Sequence, residues 1–371
     1  MKVLILSCNT GQGHNSAGLA VKEELERREI PCEMKDALSF AKGHASRTIS
    51  GAYISMATKA PSLFGGLYRL GGAISSRKRK SPVYYANTRY AGPLKAYLEE
   101  QGFTAVVTPH LFPAETLTYL KRRGELSVPC YAVATDYTCI PFWEETELDG
   151  YFLPHKDLIP EFAEKGLSRD RLIPTGLPVS GRYLARMEKR AARKKLGLPE
   201  EAPVFLVMTG SMGFGDISSF TLDLLLTCPR EASIVILTGN NEPLKAKIDK
   251  DFTRERRVRT VPFTKEVALY MDACDVLLSK PGGLTSTEAA VKNIPLVHTR
   301  PIPGCETKNA RFFSSRGLSL FAEEPKEAAK AAARLAADEA LREKMRARQQ
   351  EMIPRNAAGA VVSFLLERDL S

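Results

Sequence analysis

The chain has 371 residues, 44% hydrophobic and 26% charged, a composition that argues against disorder and suits two or three globular domains. Lys and Arg number 53 against 43 Asp and Glu, a net charge of +10 that permits an anionic partner (nucleic acid, acidic lipid or a phosphorylated substrate) without choosing among them. Seven scattered cysteines with no CxxC pair argue against a disulfide framework or a zinc site, and no apolar stretch approaches the ~18–20 residues of a membrane span.

The first residues, Met1 to Ser7, hold too short an apolar run for a signal peptide, and the reading is of a protein working in a reducing cytoplasm or on a membrane surface. Residues 3–6 read as a short buried strand. The Gly-rich Cys8-Asn9-Thr10-Gly11-Gln12-Gly13-His14 follows, then a helix-period segment over 17–28. Ile49, Ala52, Tyr53, Met56, Ala57 and Ala60 fall on one helical face. After Pro61 the pattern resumes with Leu63, Phe64, Leu67 and Tyr68, and the tetrabasic Arg77-Lys78-Arg79-Lys80 comes next. Strands are predicted at 105–108, 130–135 and 150–153, with a helix over 114–123.

A boundary is expected between Pro174 and Pro203, where the turn-like Thr175-Gly176-Leu177-Pro178 precedes a very basic stretch, Arg182 to Lys195. The pattern then restarts, with strands at 204–209, 233–238, 276–279 and 295–299 and a helix over 220–226. Residues 325–350 read as surface helices, and 357–368 as a last apolar-faced helix beyond Pro354. Strand–helix alternation with near-continuous apolar strands predicts parallel sheets covered on both faces, whose ligand sites lie at the strands' carboxyl ends.

Three Gly-rich turns carry the chemistry. His14 stands at a helix start, where the positive dipole end disfavours imidazolium and leaves a neutral ring able to accept a proton; the plainer alternative is a histidine bonded to solvent or backbone. Thr209 to Asp216 holds three glycines in six positions, which lets backbone approach a phosphate, although no Walker Lys-Ser/Thr follows. In Ser279 to Glu288, Thr285-x-x-Glu288 matches a capping box; the alternative for Glu288 is a carboxylate gripping two vicinal ribose hydroxyls. Together with the polar loop Pro301 to Asn309, these turns point to a phosphorylated, hydroxyl-rich ligand.

At these residues the chain resembles the monogalactosyldiacylglycerol synthase and processive diacylglycerol glucosyltransferase family, which is related to the peptidoglycan enzyme adding N-acetylglucosamine to a lipid-linked precursor. The matching pieces are Gly11 to Ala17, Thr135-Asp136 through Trp143, Thr175 to Val179, Gly210 to Gly215, Ser279 to Glu288 and Pro303 to Asn309. The resemblance implies an α/β GT-B fold of two Rossmann-like domains with parallel sheets facing a central cleft. Its expected layout is an acceptor and membrane-binding domain over 1–175, a linker over 176–202, a UDP-sugar domain over 203–355, and a helix over 356–371 crossing back. It also implies a metal-independent, inverting hexose transfer from a UDP-sugar to diacylglycerol or a glycosyl-diacylglycerol, with UDP-glucose ahead of UDP-galactose and no further cofactor.

Carried over residue by residue, His14 is the base on the acceptor hydroxyl. The backbone near Phe263 and Thr264 receives uracil, and Glu288 the ribose. Ser211, Gly213 and Gly282-Gly283-Leu284-Thr285 hold the diphosphate, and Glu306 and Asn309 meet the sugar. Two residues depart from the family pattern: Cys305 stands where Gln is usual, and Ser180 where a basic residue is usual, with Arg182 two residues on.

On the acceptor side, the amphipathic face with Tyr53 and Phe64 and the Arg77, Lys78, Arg79 and Lys80 run suit shallow docking on the anionic inner face of a cell membrane; the alternative is a core-packed face with a solvated basic loop. Trp143 resembles an acceptor-proximal tryptophan or else is partly buried, and Asp136 orients a group at the site or caps a turn. Rival readings are a transferase for another lipid, a UDP-N-acetylglucosamine 2-epimerase, and a peripheral lipid binder without donor chemistry. Dispersed charge without interleaved aromatics argues against nucleic acid.

Overall fold

The computed structural model describes residues 1–9, 12–41, 80–210 and 216–370. Within them the chain builds two six-stranded, fully parallel sheets. The first contains β1 (Val3–Ser7), β2 (Cys32–Asp36), β3 (Ala105–Thr108), β4 (Cys130–Val133), β5 (Gly150–Phe152) and β6 (Leu172–Ile173), in the order β2-β1-β3-β4-β5-β6. The second contains β7 (Val204–Met208), β8 (Ser233–Gly239), β9 (Val258–Pro262), β10 (Val276–Ser279), β11 (Leu296–His298) and β12 (Leu320–Phe321), in the order β12-β11-β10-β7-β8-β9.

The central strands are buried end to end, because helices cover both faces of a parallel sheet. All eight predicted strands form. The four that the apolar pattern did not announce, β2, β6, β9 and β12, are the four edges of the two sheets.

The chain divides into two compact units. One comprises Met1–Gly181, Pro303–Cys305 and the tail from Pro354; the other comprises Arg182–Ile302 and Glu306–Ile353. In the first unit the last helix, Ala357–Asp369, packs beside the sheet, with the Phe364 ring edge-on to Tyr131 and Phe152 at 5.7 and 5.4 Å. Arg28 donates to Ser363 Oγ at 3.0 Å and to the Gly359 carbonyl at 3.1 Å, which fastens this helix to the one that carries His14. Gly176 makes the approach of the tail possible. Its φ is +94°, and a Cβ there would lie 2.8 Å from Pro354 Cβ and 3.0 Å from Ala357 Cβ.

Each sheet has one place where the strand order reverses. The chain runs from β1 outward to β2, then returns to the other side of β1 as β3; likewise it runs from β7 to β8 and β9, then returns beside β7 as β10. Loops leaving the carboxyl ends of the two strands at such a point diverge and open a crevice. The predicted Gly-rich turns leave β1, β7 and β10.

Candidate functional site

His14 is the third residue of the helix Gln12–Arg27, which follows β1. Its Nδ1 lies 2.9 Å from the carbonyl oxygen of Pro109, beyond β3, and 3.0 Å from Thr135 Oγ1, beyond β4. A carbonyl can only accept, so Nδ1 carries the ring proton and Nε2 keeps its lone pair. Three strand ends converge on one ring and fix its tautomer. Burial lowers the His14 pKa, opposed by the charge of Asp136 and by the bond to Pro109, so the ring is neutral at pH 7. The helix dipole was the expected cause of neutrality; loss of solvent is the largest one.

The loop before His14 is braced by side chains. Ser7 Oγ donates to Asn15 Oδ1 at 2.6 Å, Asn15 Nδ2 to Asn9 Oδ1 at 2.8 Å, and Asn9 Nδ2 to Asp36 Oδ2 at 2.9 Å. Sequence reasoning missed His110. Its ring stands edge-on to His14 with centroids 4.6 Å apart, and its Nδ1 accepts the Phe112 N–H at 3.1 Å, capping the helix Leu111–Arg122. Burial and the neighbouring His14 hold its pKa well below the ordinary histidine value. The only signal was a histidine between a strand and a helix, a common and uninformative place.

Asp136 follows Thr135 and is half-buried, close enough for its charge to act on His14. Trp143 is different. It is 3% exposed and edge-on to Tyr151 at 6.2 Å, so it is a core residue and presents no open face to an acceptor. Lys80 is also turned inward: its Nζ donates to the Glu145 carbonyl at 2.7 Å and lies 5.3 Å from the centre of the Tyr84 ring. Burial, helped by Arg122, brings its pKa down to about 8. Tyr53, Phe64, Arg77, Lys78 and Arg79 lie outside the described residues.

In the second unit, β10 leads into the helix Gly283–Val291. Gly282 is its N-cap and offers no side chain, so the first-turn N–H groups of Gly283, Leu284 and Thr285 lack intrahelical acceptors. A Cβ at Gly282 would meet nothing within 4 Å, so the space over this turn is open. The Thr285–Glu288 capping box does not form: the helix starts before Thr285, which puts Glu288 in the helix body. Glu288 is 9% exposed, and burial, opposed by Tyr183 and by the charge of Arg182, raises its pKa to about 8.

Asn309 is fully buried and its Nδ2 donates to the Pro281 carbonyl at 3.0 Å, so it fastens the Pro281-Gly282 turn from behind. The expected polar loop ends at Gly304: Glu306 and Asn309 lie on the helix Cys305–Ser315, and Glu306 Oε2, in its first turn, accepts the Ile302 N–H at 2.6 Å. Phe263 is 62% exposed just beyond β9, and Thr264 Oγ1 accepts the Glu266 N–H at 3.0 Å. Ser211 and Gly213 lie outside the described residues; Gly210, just before them, adopts a φ of +68° near Lys280.

Two family models match in tandem: monogalactosyldiacylglycerol (MGDG) synthase over residues 14–179, and the glycosyltransferase family 28 C-terminal domain over residues 204–359. A processive diacylglycerol beta-glucosyltransferase of Staphylococcus saprophyticus is 28% identical over 217 residues, 58% of this chain; the match spans 56% of that relative's length. One from Bacillus licheniformis is 23% identical over 372 residues, covering 99% of this chain and 94% of the relative. Among solved structures, Acinetobacter baumannii MurG is similar at a TM-score of 0.64 and 14% identity, over 99% of this chain and 100% of that one. A UDP-GlcNAc 2-epimerase from Neisseria meningitidis, bound to UDP-GlcNAc, is similar at 0.62 and 16%, over 99% and 100%. At these identities the structural likeness speaks for the fold alone, which is GT-B. Among the described residues no helix is long and apolar enough to cross a membrane.

Proposed function

We propose that this chain, which belongs to the monogalactosyldiacylglycerol synthase family of glycosyltransferases, moves a hexose from a UDP-sugar to the hydroxyl of diacylglycerol or a glycosyl-diacylglycerol at a membrane surface. UDP-glucose is the favoured donor and UDP-galactose the next. The observation that carries the reading is the state of His14: a neutral ring with its proton fixed on Nδ1 and its lone pair on Nε2.

In this scheme Nε2 takes the acceptor's hydroxyl proton as the oxygen attacks the anomeric carbon from the face opposite the nucleotide. The C1–O bond to UDP breaks with inversion. The imidazolium so formed is stabilised by the Asp136 charge and by the Pro109 carbonyl, the groups that already raise the affinity of His14 for a proton. The departing diphosphate gains negative charge. The N–H groups of Gly283, Leu284 and Thr285, at the positive end of their helix, are suited to take it up, which needs no metal ion. Glu288 receives the ribose, Phe263 and Thr264 flank the base, and Glu306 meets the sugar.

A lipid acceptor is supported by the family match over the first unit and by the names of the relatives. The epimerase shares the fold, but residues 14–179 match a glycolipid synthase model. The test is to incubate the protein with UDP-glucose, UDP-galactose or UDP-N-acetylglucosamine and diacylglycerol vesicles, reading lipids and nucleotides by mass spectrometry. Hexosyl-diacylglycerol and UDP are expected. Epimerised UDP-N-acetylglucosamine without any glycolipid would overturn the proposal.

A further inference from the structure

The histidine that caps the helix Leu111–Arg122 stands against the histidine read as the base. His110 is 5% exposed, and its ring centroid lies 4.6 Å from that of His14, with the two planes at 70°. It also meets the half-buried Phe112 ring edge-on, with centroids 4.7 Å apart. The contacts on His14 are of two kinds. The Pro109 carbonyl and the Thr135 hydroxyl both meet Nδ1, whereas His110 packs against the ring itself. Hydrogen bonds tolerate a broad spread of angles, so two bonds at one atom leave the far side of the ring, with Nε2, some room to swing. A packed ring removes that room.

His110 is also built not to compete for the proton. Its Nδ1 accepts the Phe112 N–H at 3.1 Å, so its own proton is on Nε2. An imidazolium has no lone pair, so protonating His110 would break the cap of its helix. The pair therefore takes up a proton on His14. The titratable groups that face the base are Asp136 after β4 and His110 after β3. We propose that His110 is a positioning residue of the transfer reaction, whose neutral ring holds Nε2 of His14 toward the acceptor hydroxyl and keeps water off the imidazole. The inference rests on the reading of His14 as the base.

The cap and the ring can be separated by substitution. His110→Asn keeps a side-chain acceptor for the Phe112 N–H and loses the ring; His110→Phe keeps a ring and loses the acceptor. The test measures hexosyl-diacylglycerol formation, and the titration of His14 by NMR, in the full chain and in both variants. His110→Asn should lower kcat about ten- to a hundredfold with the donor KM within about twofold of wild type. Its His14 should titrate at higher pH than in the wild type, because water reaches the ring. His110→Phe should bring transfer back to within about threefold of wild type, leave the His14 titration in place, and melt about 2–4 °C lower for want of the cap. The reverse pattern, with His110→Phe slow and His110→Asn not, would reduce His110 to a helix cap and overturn the proposal. Equal loss in both variants, or in neither, would overturn it as well. If His14→Ala keeps its transfer rate, the base reading fails by itself; the NMR titration then decides the role of His110, and an unmoved His14 titration in His110→Asn overturns that too.

Discussion

If Glu288 receives the ribose as proposed, donor binding should depend measurably on pH. The Glu288 carboxyl is buried in the helix Gly283–Val291, and loss of solvent outweighs the help of Tyr183 and Arg182, leaving its pKa at about 8. Gripping two ribose hydroxyls calls for the ionised form, which at pH 7 is about a tenth of the unliganded protein. The apparent affinity for UDP-glucose is then about tenfold weaker at pH 7 than on its high-pH plateau, about 1.4 kcal/mol, and about a hundredfold weaker at pH 6. UDP-glucose is the right probe because its diphosphate is a diester without a proton to lose in this range. Titration calorimetry from pH 6 to 9 should show Kd falling close to tenfold per pH unit up to about pH 7.5 and levelling above 8.5. Nearly one proton should be released per binding event at pH 7, seen as a dependence on buffer ionisation heat. Glu288→Gln cannot titrate and should bind with a flat profile. A flat wild-type profile, or the same slope in the variant, would refute the reasoning.

Two further predictions concern the first unit. Gly176→Ala forces a Cβ into Pro354 and Ala357 at a φ of +94°, so it should cost on the order of 3 kcal/mol and speed hydrogen exchange in the helix Ala357–Asp369; an unchanged urea midpoint would contradict the packing. Glu115 is fully buried, its Oε2 accepts Asn87 Nδ2 at 2.5 Å, and burial raises its pKa to about 8. A free carboxyl ionises near 4.5, so above that pH the unfolded chain releases a proton that the folded one keeps. The stability contributed by the protonated folded form is present below about pH 4.5 and is lost as pH rises through about 8. Melting temperature against pH should therefore fall more for the wild type than for Glu115→Gln between pH 5 and 8, and parallel curves would show that Glu115 ionises normally.

The parallel sheets were legible because their inner strands are covered on both faces and must be apolar throughout: Val3-Leu4-Ile5-Leu6 can hardly be read otherwise. The edge strands were not, and β2 shows why. Cys32-Glu33-Met34-Lys35-Asp36 is half-exposed along its whole length, so it tolerates charge and loses the apolar signature; β6 and β12 are only two residues long. At the site, the types and spacing of residues singled out His14 and Glu288, but not their surroundings. The capping-box reading failed because the helix starts at Gly283, two residues before Thr285, with Gly282 as its N-cap. His110 was invisible because it reaches His14 only through the pairing of β3 with β1, across some hundred residues of chain. Ser180 stood out only as a departure from the family pattern; in the structure its Oγ donates to Glu23 Oε2 at 2.6 Å, a role set by a partner 157 residues away. Trp143 could have faced in or out on sequence grounds, and packing against Tyr151 decided for the core.

The neutral His14 imidazole as the base that activates the acceptor is tested most directly by His14→Ala, measuring hexosyl-diacylglycerol formation at saturating UDP-glucose beside UDP affinity on the same preparation. The account predicts a loss of roughly 10²–10⁴-fold in transfer rate, the range for removing a general base, with UDP affinity within about twofold of wild type. Transfer within tenfold of wild type would contradict it.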